Sequence, residues 1–512
     1  MKSTKLILTI FLCWQLGLHA VFAQTQSGKL ILKVIGIGAG ETFKFKDIDN
    51  RELVFTAPTT KVLEGLTVGS QYSFTTLSTP RDCKITNGVG TVGNATITVE
   101  IDCTYRTFRK FELVSRSTDK KLLGTFYGSS SPSIGGEVAT AVKEGQFVAY
   151  MTSWNVDAKH GGKNRQIVWY NRGNEKTVVV SRGLDGMGGN KDSYEPVIDA
   201  RGYSVAFESH ATNLVQGDLN NASDVFIWNL MNDQLSCVTC EGNAPSASAS
   251  ISRGGRFVAF SSNASNLTAG VDGTSLTNAF VKDMQTGEII LLSKDPKTGK
   301  ALGGRHPSIS EDGNTIAFYS YADKLVEGDN NKLWDIFVWE RGNPQLKRIS
   351  LTTNGTERNQ GNESMSRLVV PTISGNGKYV TFSTTASNMV EGEVTQFQQV
   401  YVAEIATGRI IRASENLNKI AGDDDSPIAQ GEKVPISFDG AWVAFPTKSK
   451  NLGSKMIVKN IFTGETIALG EAYNLAVGRP AISRDGNSVV FPTSSILDKK
   501  LPSSGIFASD KQ

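Results

Sequence analysis

Pro307-Ser-Ile-Ser-Glu-Asp-Gly-Asn-Thr-Ile-Ala-Phe318 compresses a short strand, a turn and a second, apolar strand into one small segment. Asp312-Gly313 is the kind of pair that closes a hairpin. The second half of this pattern recurs along the chain, and that recurrence decides the architecture. It reads Gly145-Gln-Phe-Val-Ala-Tyr, Gly202-Tyr-Ser-Val-Ala-Phe, Gly255-Arg-Phe-Val-Ala-Phe, Gly313-Asn-Thr-Ile-Ala-Phe, Gly377-Lys-Tyr-Val-Thr-Phe, Gly440-Ala-Trp-Val-Ala-Phe and Gly486-Asn-Ser-Val-Val-Phe. Successive glycines stand 46 to 64 residues apart.

The surroundings repeat as well. A short strand precedes the glycine, as in Pro371-Thr-Ile-Ser374 and Pro480-Ala-Ile-Ser483. A longer loop follows the apolar strand, and then a third strand such as Asp224-Val-Phe-Ile-Trp228 or Asp335-Ile-Phe-Val-Trp339. A Thr-Gly turn, at 286–287, 407–408 or 463–464, leads to a fourth. Four short antiparallel strands per unit predict an all-β chain with a β-propeller over 105–512. Phe111-Glu-Leu-Val-Ser-Arg116 reads as a fourth strand with no unit before it, while the last unit, through Ile506-Phe507-Ala508, lacks one. Joining the two removes both open edges. Seven blades are expected, with six as the alternative if one unit is degenerate.

The N-terminal part differs. Lys2 and Lys5 precede the apolar run Leu6–Leu18, and Val21 and Ala23 suit a signal-peptidase cut before Gln24. Residues 1–23 are therefore expected to be a signal peptide, and the mature protein to be exported, to the periplasm or beyond, with no membrane span. Residues 27–104 alternate as strands do, for example Thr42-Phe43-Lys44-Phe45-Lys46, and predict a small antiparallel β-sandwich. Its stretch from Cys83 to Cys103 resembles the small immunoglobulin-like modules of bacterial secreted proteins, which implies a spacer or adhesion unit. The blade at 307–318, together with Asn213-Leu-Val-Gln-Gly-Asp-Leu-Asn-Asn-Ala-Ser-Asp-Val-Phe226, resembles the TolB-like propeller repeat of bacterial exported proteins. That resemblance implies the fold and leaves the function open, since such propellers include binding scaffolds and a few polysaccharide-degrading enzymes.

The 512 residues carry 53 Lys+Arg against 50 Asp+Glu, a formal charge of +3, without the basic field of a nucleic-acid binder. Export permits disulfides. Cys83–Cys103 and Cys237–Cys240 are the expected pairs, with free thiols or a redox centre at Cys237-Val-Thr-Cys240 as alternatives.

Strand order sends the second-to-third loops and the blade-to-blade connections to one face, with segments near 154–165, 211–224, 264–278, 321–335, 354–368 and 415–433. Long loops on a rigid ring are where binding is expected. Two of them repeat an acidic pattern, Asp218-x-Asn220-x-x-x-Asp224 and Asp329-x-Asn331-x-x-x-Asp335. Alternating oxygen donors suit calcium, although no EF-hand glycine or terminal glutamate follows; the competing reading is turn stabilisation by Asp and Asn. Asp423-Asp424-Asp425 is read chiefly as a solvated turn. Inner strands lining a channel bring Glu195, Arg305, His306 and Arg479 towards its mouth. A carboxylate-binding Arg with a His or Tyr base is what a uronate lyase needs, but no spacing motif ties these residues into a catalytic site. The expectation is a non-catalytic exported protein presenting the long-loop face to a protein or glycan, with a polysaccharide lyase as the alternative. No cofactor is implied beyond the calcium reading.

Overall fold

The computed structural model describes residues 27–35, 42–47, 52–78, 84–102, 111–116, 129–136, 143–153, 156–157, 164–271, 276–359, 370–391, 397–416, 420–426, 433–452, 456–469, 479–493 and 505–510. Residues 1–26, with the expected signal peptide, and Cys83, Cys103 and His160 lie outside them. Among the described residues there are strands, turns and two short 3-10 helices, Arg253–Gly255 and Lys450–Leu452. No helix there is long and apolar enough to cross a membrane. The chain divides into two units, Met1–Thr107 and Phe108–Gln512.

In the first unit Phe43 and Phe45 are buried while Lys44 and Lys46 lie at the margin, as period-two alternation requires. Leu30, Leu32, Val34, Val99 and Ile101 of one sheet share a core with Phe43, Phe45 and Phe55 of a second. The first sheet has the spatial order Thr59–Thr67, Ser27–Ile35, Ile97–Asp102, Lys84–Thr86. Its two central strands run parallel, so the sheet is mixed where a wholly antiparallel one was expected. They are the first and last long strands of the unit, and the chain between them supplies the long crossover that parallel neighbours need.

The second unit is a β-propeller. Among its described residues seven sheets follow in chain order, and each has its strands antiparallel. The fourth is typical: Arg305–Ile309, Thr315–Ser320, Asp335–Glu340 and Lys347–Arg348, from inside out. The sixth has three strands plus an isolated bridge, Ile436 to Val443, where its inner strand belongs. Two-sided burial explains why the second and third strands read as almost continuous apolar runs. Phe318 and Phe337, for instance, lie in the core shared by the third and fourth sheets. Each such side chain contributes roughly 1.5–3 kcal/mol when fully buried.

The apolar clusters connect the sheets cyclically. First and second share Phe147, Trp169, Phe207 and Trp228; sixth and seventh share Trp442, Val458 and Phe491. Seventh and first share Val490, Ile506, Val148 and Tyr150, which completes the circle. The recurrent turn glycines sit at these junctions. Gly313, at φ +76°, faces Phe257 of the preceding sheet so closely that a Cβ there would stand 2.2 Å from the ring. Gly440 faces Tyr379 in the same way, and Gly145 of the first sheet faces Ser488 of the seventh.

The strand Phe111–Leu113 pairs with Gly505–Asp510, antiparallel, as the outermost strand of the seventh sheet. Val114 N–H donates to Ile506 O at 2.8 Å. Arg172, from the first sheet, binds Glu112 on one strand at 2.9 Å and both carboxylate oxygens of Asp510 on the other, at 3.0 and 2.8 Å. Its guanidinium thus joins three strands from distant parts of the sequence.

Candidate functional site

Inner strands start at the end of each sheet from which the long second-to-third loops leave; in the fourth sheet Arg305 pairs with Tyr319. Just past that start the register slips. The irregularities fall between Ser130 and Ser133, Tyr194 and Val197, Ala247 and Ser250, and Arg305 and Ser308. One residue in each bulge takes a left-handed backbone without being glycine: Ser131 at φ 50°, Glu195 at 49°, Ser248 at 57° and His306 at 47°. Such conformations are held only where surrounding structure enforces them, and they cluster at functional sites. Here the neighbouring sheet does the enforcing. The N–H of Ser248 donates to Glu208 Oε2 at 3.3 Å, and that of His306 to Ser261 Oγ at 2.9 Å.

Each bulge residue stands three places before the isoleucine that pairs with the second strand, Ile198 or Ile309 for example. Counting back from Ile373, Ile436 and Ile482 gives Val370, Lys433 and Arg479 in the remaining sheets. The ring of equivalent positions is therefore Ser131, Glu195, Ser248, His306, Val370, Lys433 and Arg479. Arg479 of the seventh sheet reaches past the short Ser131 of the first to pair with Glu195 of the second. Ser131 Oγ also approaches Glu195 Oε1, at 3.4 Å. Ser248 Oγ and His306 Nδ1 are hydrogen-bonded at 3.0 Å, and the imidazole stacks on Tyr319 with ring centres 5.5 Å apart.

The electrostatics follow from enclosure. Burial, reinforced by Lys433, Arg479 and Arg305, drives His306 down to about 3, so the ring is neutral at ordinary pH. Burial also holds Lys433 below the usual lysine range, against the pull of Glu195. Glu208 is raised, chiefly by burial, and Tyr319 is pushed up to about 12 for the same reason.

The polar ring continues outward along an aromatic path. Tyr319 meets Trp334 edge-on at 5.0 Å, and Trp334 meets the exposed Tyr321 at 5.8 Å. Arg305 lies over Trp334 at 5.6 Å. A second group, Arg165 over Tyr194 and Tyr194 against His210, sits at the corresponding end of the first and second sheets. At the opposite, short-turn end, Glu311 of the fourth sheet pairs with Arg484 of the seventh at 3.2 Å, and Arg484 covers Phe438.

The sequence-derived candidates thus separate into groups. Glu195, His306 and Arg479 come together. Arg305 is exposed and belongs to the aromatic rim. Lys433, Glu208, Ser131, Ser248 and Trp334 were not singled out, yet they complete the constellation. Of these only Ser131 carries the signal that Glu195, His306 and Arg479 share, a following proline; Ser248, Lys433, Glu208 and Trp334 lack it.

The acidic loops are placed differently. Asn220 Oδ1 accepts from Ala222 N–H at 2.7 Å, and Asn331 Oδ1 from Leu333 N–H at 2.9 Å, so both amide oxygens serve their own turns. Asp218, Asp224, Asp329 and Asp335 are buried. Asp423 accepts from Ser449 Oγ at 2.8 Å and Asp425 from Gln398 N–H at 2.9 Å, so this cluster also stabilises loops. Cys237 and Cys240 form a disulfide with Cα atoms 5.8 Å apart. The pairing expected for Cys83 and Cys103 lies outside the described residues.

No family model matches the sequence, and no curated protein matches it. Solved structures do show similarity to the fold. The oligogalacturonate lyase of Vibrio parahaemolyticus is 11% identical, with a TM-score of 0.46 over 78% of this chain and 97% of its own. The β-propeller domain of the Trilobed protease from Pyrococcus furiosus is 14% identical, with a TM-score of 0.46 over 75% and 96%. TolB from Acinetobacter baumannii is 14% identical, with a TM-score of 0.35 over 82% and 88%.

Proposed function

We propose that the chain is an exported, seven-bladed propeller that binds a uronate-bearing glycan at the long-loop mouth of its channel without transforming it. Residues 27–104 then serve as a spacer. The observation that carries the reading is the rim formed by Arg305, Trp334 and Tyr321, continuous with the polar ring through Tyr319. Aromatic faces suit the apolar faces of sugar rings, and an exposed guanidinium suits a carboxylate. Below the rim, hydroxyls, a neutral imidazole and a pre-formed Arg479–Glu195 pair favour hydrogen bonding to sugar hydroxyls. Export is supported by the basic-then-apolar leader and by the Cys237–Cys240 disulfide, which fits an oxidising compartment.

Lys433 favours a second reading. A buried amine with a depressed pKa beside a carboxylate-binding arginine is the equipment of a β-eliminating lyase. Incubating the mature protein with polygalacturonate and alginate fragments separates the two. Retention on the immobilised glycan with no new absorbance from unsaturated uronate supports binding. Product formation that disappears in Lys433→Met or His306→Ala establishes the lyase instead.

A further inference from the structure

The two acidic loops are structural copies, and the difference between them is informative. Asp224 opens the third strand of the second sheet opposite Ser209, as Asp335 opens that of the fourth opposite Ser320. Asp224 Oδ1 accepts from Thr239 Oγ1 at 2.7 Å, and Asp335 Oδ1 from Ser350 Oγ at 2.5 Å. Further on, Asn243 and Asn359 bind the next sheet identically, the first through Asn266 and Ser265, the second through Asn388 and Ser387.

In the fourth sheet the acidic pair is neutralised from within the chain. Arg348 Nη1 lies 2.7 Å from Asp329 Oδ1 and 3.6 Å from Asp335 Oδ2, and it also binds Glu357 at 2.9 Å. Arg358 stands 3.5 Å from Asp335 Oδ1. In the second sheet both arginines are replaced. Register places Cys237 opposite Phe226 just as Arg348 lies opposite Phe337, and Gly242 precedes Asn243 as Arg358 precedes Asn359. Cys237 is held in the disulfide with Cys240 and offers no charge. In the second sheet Asp218 Oδ1 and Asp224 Oδ2 have no hydrogen-bond partner among the described residues; they are the counterparts of the two oxygens that Arg348 approaches in the other copy, where Asp335 Oδ2 also lacks a hydrogen bond but has the guanidinium 3.6 Å away. Asp224 is fully buried and Asp218 is 7% exposed. Lys282 of the third sheet spends its ammonium on Val238 O at 2.8 Å and on Glu241 at 3.6 Å.

We infer that Asp218 and Asp224 of the second sheet bind one calcium ion, which takes the place held by the Arg348 guanidinium in the fourth. Lys191 eases the charge on Asp218, but among the described residues no arginine bridges the two buried carboxylates, and a divalent ion supplies the balance that the fourth sheet achieves with arginines. The donors are hard oxygens, which select calcium over a thiophilic metal while the disulfide is intact. The asparagine oxygens are already engaged, so water completes the shell. Two protein carboxylates make a weak site, in the range of about 0.1–1 mM found for extracellular calcium modules. The inference is independent of the glycan reading.

The test uses the full mature chain, stripped with chelator and titrated with calcium chloride by calorimetry and thermal melting. One equivalent of calcium binds, and the melting temperature rises with calcium, since the ion favours the folded state. Asp218→Asn and Asp224→Asn each abolish both effects. Cys237→Arg combined with Cys240→Ser imports the fourth sheet's cation and removes the calcium response without removing either carboxylate. No binding at several-fold above the millimolar range overturns the inference, as does binding that survives both aspartate substitutions. A metal-insensitive protein that is stabilised by Asp224→Asn marks a proton-sharing pair and overturns it too.

Discussion

At the residue scale, the ring of inner-strand positions around His306 holds groups whose charge is set by enclosure. His306 has an ordinary value of 6.5 and about 3 when folded, so the unfolded chain binds its proton first. Its contribution is complete above about pH 6.5 and is lost as the pH falls towards 3. Urea denaturation across that window should show wild type losing more stability on acidification than His306→Gln, which has no proton to take up; parallel pH profiles would contradict the assignment. Glu195, His306 and Arg479 were legible because the inner strand repeats in the sequence and its first polar residues stand out. Their contacts were not legible. The Arg479–Glu195 pair spans 284 positions and rests on the shortness of Ser131 between them. Glu208 lies within a second strand, and it is the neighbouring sheet's bulge that engages its carboxylate.

At the scale of elements, glycine spacing marked the strands because the turn glycine answers two demands at once. It takes a positive φ and admits the neighbouring sheet's side chain. Gly313→Ala meets both penalties, with Phe257 at 2.2 Å from the new Cβ, and should cost about 3 kcal/mol or more. Gly287→Ala has the same sign of φ, at +80°, but nothing within 4 Å, and should cost only about 1–2 kcal/mol. Chemical denaturation midpoints of the two variants measure the difference. The inner-strand bulges were not legible as bulges: Ser131, Glu195 and His306 each precede a proline, but a residue before proline does not announce a left-handed backbone. The acidic loops were legible as a pattern but not as chemistry: the partners that distinguish them, Arg348 and Cys237, lie beyond the motif on another strand.

At the scale of the whole molecule, closure rests on one strand near the start of the propeller unit completing the last sheet. The two incomplete edges in the sequence anticipated this pairing, because an unpaired edge at either end is costly. The Arg172 clamp was not anticipated, as its carboxylates, Glu112 and Asp510, belong to opposite ends of the unit. Arg172→Met should destabilise the fold by about 1–3 kcal/mol, the value of charge-assisted hydrogen bonds that are partly exposed, and should speed proteolysis near residue 111. Limited digestion with N-terminal sequencing checks it; unchanged cleavage would show that apolar packing alone holds the closing strand.

The central claim is that the aromatic and arginine rim at the long-loop mouth takes a uronate-bearing glycan. Calorimetric titration of the mature protein with galacturonate oligosaccharides tests it most directly, in parallel with Trp334→Ala and Arg305→Ala. Saturable binding to wild type, weakened about tenfold or more in each variant, is the predicted result. Absence of binding, or equal affinity in all three proteins, would contradict it.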